Sequence, residues 1–158
     1  KEQHTFFGKD QGLRIKDLVD PTKKMSKSTD SDRGVVFLGN SPDEAAKKVM
    51  GATTDSVGQV HFDAEKQPGA TNLLQVLALL NQKPQSEINQ KWQGKTSDGE
   101  LKTAVAEAVK NFLTDFQSKL EQVDEQALEA KLVQDEAKMN EVANATLLKV
   151  QKAVGLRK

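Results

Sequence analysis

From Ser41 onward the sequence opens and closes one helix after another, and this constrains the fold more than any other feature. Ser41-Pro42-Asp43-Glu44 supplies a hydroxyl cap, a proline for the first helical position and a glutamate three residues after the cap, the pattern of a capping box. Ala45, Ala46, Val49 and Met50 follow before Gly51. Pro68-Gly69 reads as a loop break, after which Leu73, Leu74, Val76, Leu77, Leu79 and Leu80 put aliphatic groups on nearly every face, as in a helix buried on most sides. A short helix from Ser86 carries Ile88 and Trp92 up to Gly94. Ser97-Asp98-Gly99-Glu100 is a second capping box, and behind it Leu101, Val105, Val109, Phe112, Phe116 and Leu120 recur every three or four residues. Asp124 can cap a last helix in which Leu128, Leu132, Met139, Val142, Leu147, Val150 and Val154 approximate a stripe, closed by Gly155. That stripe loses phase between Leu132 and Asp135, which predicts a kink or break there. Each stripe is expected to pack into a core. The fold class is mainly α, a helical bundle over residues 41–158.

Residues 1–40 read differently. They are rich in Gly, Asp, Ser and Thr and hold two short β-like runs, around Leu13-Arg14-Ile15 and Val35-Val36-Phe37-Leu38. Forty such residues cannot build a core of their own, so they are expected to be the edge of a domain. The chain also starts Lys1-Glu2-Gln3-His4, without Met or a signal-peptide pattern, which suggests a piece of something longer.

Several chemistries are excluded by what the 158 residues lack. Without cysteine there is no disulfide, Cys-zinc site or thiol nucleophile, and a reducing compartment is compatible. His4 and His61 are far apart, with nothing beside them to suggest a metal site or a Ser-His-Asp triad. No apolar run approaches the ~20 residues that span a bilayer. The 23 basic and 23 acidic side chains cancel, so no basic coat for nucleic acid or membrane exists. Within that balance, residues 1–40 hold eight basic and six acidic groups, and the remainder is slightly acidic.

The slightly basic part contains one segment suited to chemistry, Asp20-Pro21-Thr22-Lys23-Lys24-Met25-Ser26-Lys27-Ser28-Thr29-Asp30. It reads as a mobile loop whose one candidate apolar anchor is Met25. Lysines interleaved with hydroxyls suit a polyphosphate, since ammonium groups neutralise oxyanions while hydroxyls and backbone N–H groups give direction. The same composition also describes an ordinary solvated basic loop. It is not a Walker-type loop, because the glycines of that motif are absent.

Lys24-Met25-Ser26-Lys27-Ser28 spells KMSKS, and here the chain resembles the class I aminoacyl-tRNA synthetases. The lead-in Arg14-Ile15-Lys16-Asp17-Leu18-Val19-Asp20-Pro21-Thr22-Lys23 is similar to that of the bacterial tryptophanyl-tRNA synthetases. Downstream, Thr54-Asp55-Ser56, Gly58, Phe62-Asp63 and Pro68-Gly69-Ala70-Thr71-Asn72-Leu73-Leu74 resemble the same family, as do Gly94-Lys95 and Gly99-Glu100-Leu101-Lys102. The likeness runs from about Arg14 to the C-terminus. Two departures stand out: Thr29 intervenes before Asp30, and no HIGH-like motif occurs, His4-Thr5-Phe6-Phe7-Gly8 lacking its spacing.

The resemblance implies a cytoplasmic ligase that joins tryptophan to its tRNA through an adenylate, with Mg2+-bound ATP as substrate. It implies Lys24 and Lys27 as catalytic groups over the β/γ-phosphates, and Met25, Ser26 and Ser28 with the loop backbone as further ATP contacts. Ile15 would lie beside the adenine. Residues 1–40 would be the C-terminal edge of a Rossmann catalytic domain, and 41–158 the helical domain that faces the tRNA anticodon. Lys91, Lys95, Lys102 and Lys110 are candidate RNA contacts, although lysines of this kind are more often ordinary solvated helix charges. The parent would be a homodimer, and this portion alone would be inactive. The alternative reading is a stand-alone helical RNA- or protein-binding module without catalysis.

Overall fold

A computed structural model describes residues 14–28, 31–55 and 57–157. Five α-helices follow a 3-10 turn at Asp32–Gly34: α1 Pro42–Met50, α2 Pro68–Leu80, α3 Gln85–Trp92, α4 Asp98–Glu121 and α5 Glu125–Ala153. The chain divides into two compact units after Ser118. The lysine-rich segment and α1–α3 therefore share a unit with most of α4.

Local chemistry explains the helix starts. The Ser41 hydroxyl accepts the Glu44 N–H (3.2 Å) and the Ser97 hydroxyl accepts the Glu100 N–H (3.1 Å), so one half of each expected capping box forms. Glu44 does not complete its box, because its carboxylate accepts from the Asn40 side chain instead. The Asp124 carboxylate caps α5 by accepting from the N–H groups of Gln126 and Ala127. At the far end Gly155 has φ of 77°, and the N–H groups of Gly155 and Leu156 reach back to the carbonyls of Lys152 and Gln151, a Schellman closure.

The Pro68-Gly69 pair lies inside α2 rather than in the loop before it, with Pro68 at the start of the helix. Gly69 is there for space: a Cβ at this position would stand 2.2 Å from the Thr53 carbonyl oxygen. Gly94, at φ of 74°, donates its N–H to the Val60 carbonyl, and Val60 donates to the Lys95 carbonyl (3.0 and 2.8 Å). The Gly94-Lys95 pair thus clasps the loop ahead of α2.

The core is aliphatic and joins every helix of the first unit. Leu73, Leu74, Val49, Val60, Leu101, Val105 and Leu113 are fully enclosed, with Leu18, Ile88 and Trp92 beside them. As expected, α2 is buried on most sides. In α4 the buried face is Leu101, Val105, Ala106, Val109 and Leu113, so the expected stripe needs correction beyond Val109. Phe112 and Leu120 are exposed, and Phe112 instead stacks on Phe116 with ring centroids 6.2 Å apart.

Three further expectations fail for physical reasons. Among the described residues there is no strand; the β-like run Val35-Val36-Phe37-Leu38 pairs with no ladder and already enters a turn at Leu38, and only an isolated antiparallel bridge joins Lys16 to Lys24. Leu13 of the other β-like run lies outside the described residues. The break expected between Leu132 and Asp135 is absent: α5 runs unbroken, and ion pairs of Asp135 with Lys131 and Lys138 span the place. Finally, no residue of α5 is buried, so its apolar stripe packs into no core among the described residues. No helix among the described residues is long and apolar enough to cross a membrane.

Candidate functional site

The candidate loop grows from a short, tightly bonded base. Met25 donates its N–H to the Ile15 carbonyl and Asp17 donates to the Lys23 carbonyl, each at 3.0 Å, which sets Lys16 opposite Lys24. Between these arms the chain turns through Asp20-Pro21-Thr22. The Asp20 carboxylate accepts from the Thr22 N–H (3.2 Å) and hydroxyl (2.5 Å) and pairs with the Lys23 ammonium (2.8 Å). Lys23, then Thr22, hold the Asp20 pKa down to about 2. The largely buried Asp17 accepts from the N–H groups of Val19 and Asp20 (2.8 and 2.9 Å), so carboxylates organise both corners of the turn.

Three links fasten this base to the helical body. Leu18 is buried in the core, donates to the Gly34 carbonyl and accepts from the Thr53 N–H (2.9 and 2.7 Å). The Thr53 hydroxyl donates to the Val19 carbonyl (2.7 Å). Asn72 of α2 accepts the Lys16 N–H at 2.8 Å and donates to the Lys16 carbonyl at 3.0 Å.

On this base the sequence-predicted residues separate by chemistry. Met25 is half-buried and packs on the core, as its role as the apolar anchor requires. Lys24, Lys27 and Ser28 are exposed, while Ser26 is half-buried and its hydroxyl accepts the Ser28 N–H at 3.4 Å. Ile15 and Met25 come together in an apolar groove of about 250 Å3 that also includes Val36, Val76, Leu79 and Phe112. Ser28 instead borders a polar depression of about 380 Å3 with Asp17, Asp20, Lys23, Ser31 and Arg33. Neither concavity includes Lys24 or Lys27. Thr29, Asp30 and the stretch His4–Gly8 lie outside the described residues.

Sequence reasoning missed Lys48. Its ammonium, on a side chain only 11% exposed, reaches Asp32 and the Val35 carbonyl (3.1 Å each), Asn40 (3.4 Å) and Glu44 (3.7 Å). It also lies 5.5 Å from the Phe37 ring centroid. One lysine thereby holds residues 32–40 against α1. The only available signal was its spacing from Glu44, common to countless solvent-facing pairs.

Downstream of the loop, Gln67 and the motif residues Asp55 and Asp63 bind together the segment before α2. Gln67 is buried; its amide donates to Asp55 and the Gln59 carbonyl (2.8 and 2.7 Å), and its carbonyl accepts the His61 N–H (2.6 Å). Asp63 accepts from the N–H groups of Lys66 and Glu65, which lower its pKa in that order, and its own N–H donates to Thr71. The His61 ring contacts Gln93, and no cluster of potential metal ligands occurs among the described residues. Of the candidate RNA contacts, Lys95 sits 4.5 Å from the Trp92 ring centroid and Lys110 pairs with Asp43.

Comparison with known proteins places this arrangement. The sequence profile of the tRNA synthetases class I (W and Y) matches residues 1–114. Tryptophan–tRNA ligases of Malacoplasma penetrans and Bacillus subtilis are each 38% identical, over 96% and 92% of this chain respectively. The chain spans 45% and 44% of those two proteins. A crystal structure of tryptophanyl-tRNA synthetase from Mycoplasma pneumoniae superposes with a TM-score of 0.77 at 33% identity, covering 92% of this chain and 46% of that one. With the profile match extending over most of its length, the chain belongs to the class I tRNA synthetases of the W and Y family.

Proposed function

We propose that this chain is the C-terminal portion of a bacterial tryptophan–tRNA ligase, carrying its polyphosphate-holding loop and the helices that face the tRNA. In the reaction the tryptophan carboxylate attacks the α-phosphorus of ATP, the bond to the β-phosphate bridging oxygen breaks, and pyrophosphate leaves with the magnesium that entered on the nucleotide. A ribose hydroxyl at the tRNA 3′ end then attacks the carbonyl of the adenylate, the bond from that carbon to the phosphate oxygen breaks, and AMP leaves. Lys24 and Lys27 offset the charge that builds on the leaving phosphates, Lys27 foremost. Ser26, Ser28 and the loop N–H groups hold the polyphosphate, Met25 seats the loop, and Ile15 lies against the adenine.

The observation that carries this reading is the division within residues 24–28: Met25 is held on the core while both motif lysines stand exposed. An ordinary solvated basic loop has no need of the bonded base beneath it. On this reading residues 1–40 are the edge of a Rossmann domain, residues 41–158 are the anticodon-side helical domain, and the working enzyme is a homodimer. The chain by itself is inactive, because no HIGH-like motif is present in it and positioning of both substrates supplies much of the catalysis. Binding of tRNA by this portion alone is weak.

A tryptophan-dependent ATP–pyrophosphate exchange assay tests the division of labour. The 158-residue chain is expected to give no exchange above background, and turnover would overturn the assignment of inactivity. The competing reading, a helical binding module, draws on the exposed apolar side chains of α5. It predicts a gel shift or pull-down of normal strength with no response of the lysine loop to pyrophosphate.

A further inference from the structure

We propose that Asn72 is a positioning residue for the lysine loop, standing in for a neighbouring β-strand; the inference rests on the reading of Lys24 and Lys27 as polyphosphate ligands. In an antiparallel ladder, a residue in a hydrogen-bonded pair exchanges both backbone groups with its opposite number. Lys16 makes that exchange with a side chain. Its N–H goes to the Asn72 Oδ1 (2.8 Å) and its carbonyl accepts from the Asn72 Nδ2 (3.0 Å). The opposite edge of the same segment carries the bridge to Lys24, through Ile15 to Met25 and Asp17 to Lys23. Lys24 is therefore one rung from a carboxamide that is 2% exposed in the second turn of α2.

The chemistry demands a carboxamide. Asn offers one donor and one acceptor in a single planar fork, so it satisfies both groups of Lys16 at once. Asp offers only acceptors and would set a carboxylate oxygen against the Lys16 carbonyl. Leu fills similar space and offers neither. Because the fork sits on a helix buried on most sides, it fixes the base of the loop to the core of the unit while leaving the lysine side chains exposed to meet phosphate.

The test uses the 158-residue chain, with magnesium pyrophosphate as probe, followed at the backbone amides of residues 24–28 by NMR. Asn72→Leu is expected to weaken pyrophosphate binding at least fivefold and to speed hydrogen exchange at the Asp17 and Met25 amides at least tenfold. Amides of Leu77 and Val105 should keep their protection. Asn72→Asp should fall between Leu and the parent chain. Thr53→Val cuts a different anchor of the same segment, the hydroxyl bond to the Val19 carbonyl, and should leave pyrophosphate affinity within twofold. Should Asn72→Leu melt the helices, Asn72→Asp decides by the same readouts. Unchanged affinity and unchanged Met25 protection overturn the proposal, as does an equal loss in Thr53→Val. If the parent chain fails to bind pyrophosphate, the functional reading falls, while the exchange rates still decide whether Asn72 holds the loop base.

Discussion

Gly69→Ala offers a sharp test of how α2 meets the loop base, because helix propensity and packing push in opposite directions. In an isolated helix the change would add about 0.8–1.0 kcal/mol of stability. Here the new Cβ would stand 2.2 Å from the Thr53 carbonyl oxygen, with the Thr53 carbonyl carbon and the Thr54 Cα at 3.2 Å. All three are backbone atoms, and ordinary contact begins near 3.4 Å, so the chain at Thr53 must retreat by more than 1 Å. Overpacking of this kind costs about 1–3 kcal/mol. Retreat also strains two bonds that Thr53 donates to Leu18 and Val19, both at 2.7 Å and each worth about 1 kcal/mol. The net expectation is a loss of about 2–3 kcal/mol. Trp92, the one tryptophan and buried within the first unit, reports its unfolding by fluorescence in urea. With a slope of about 1–3 kcal/mol per molar, the midpoint should fall by about 0.7–3 M. Gly51→Ala is the matched control: at φ of −81° its Cβ meets nothing closer than 3.5 Å, so its midpoint should hold or rise slightly. A Gly69→Ala midpoint at or above that of the parent chain would refute the close approach.

Two further outcomes follow from the same geometry. Lys48→Met keeps the aliphatic stem but leaves the buried Val35 carbonyl without that donor, and should cost about 1–3 kcal/mol in the same urea titration; an unchanged midpoint would contradict it. The Asp20 carboxyl should titrate near 2 by NMR, and Lys23→Ala should move it upward, since the Lys23 bond is the largest cause. Its folded pKa lies below the unfolded value, so the turn gains stability above about pH 4 and loses it as pH falls towards 2. A midpoint near 4 in the parent chain would remove the ion pair from the account.

The helices were legible because their signals are local. Ser41, Ser97, Asp124 and Gly155 act within a turn of their own positions, and each does what its residue type suggests. Burial was less legible, since it depends on what lies opposite. The stripe of α4 was read correctly as far as Val109, and then Leu113 rather than Phe112 turned inward. In α5 the spacing was helical but no residue is buried, which periodicity alone cannot reveal. At the candidate site the five motif residues were visible as a string. Their support was not: Asn72 lies 56 residues from Lys16, and Lys48 sits 16 from Asp32. Pairings across such distances leave no periodic trace. Asn72 was in view within the Pro68–Leu74 motif, yet only the fold shows that its carboxamide faces a backbone rung.

The central claim is that the motif lysines form a polyphosphate site on a fixed base, and a titration of the 15N-labelled chain with magnesium pyrophosphate tests it most directly. Amide shifts should change saturably at residues 24–28, and replacing Lys27 by Ala should weaken the response at least tenfold while α2–α4 stay unperturbed. No saturable change at those residues, or an equal response after loss of both Lys24 and Lys27, would contradict the account.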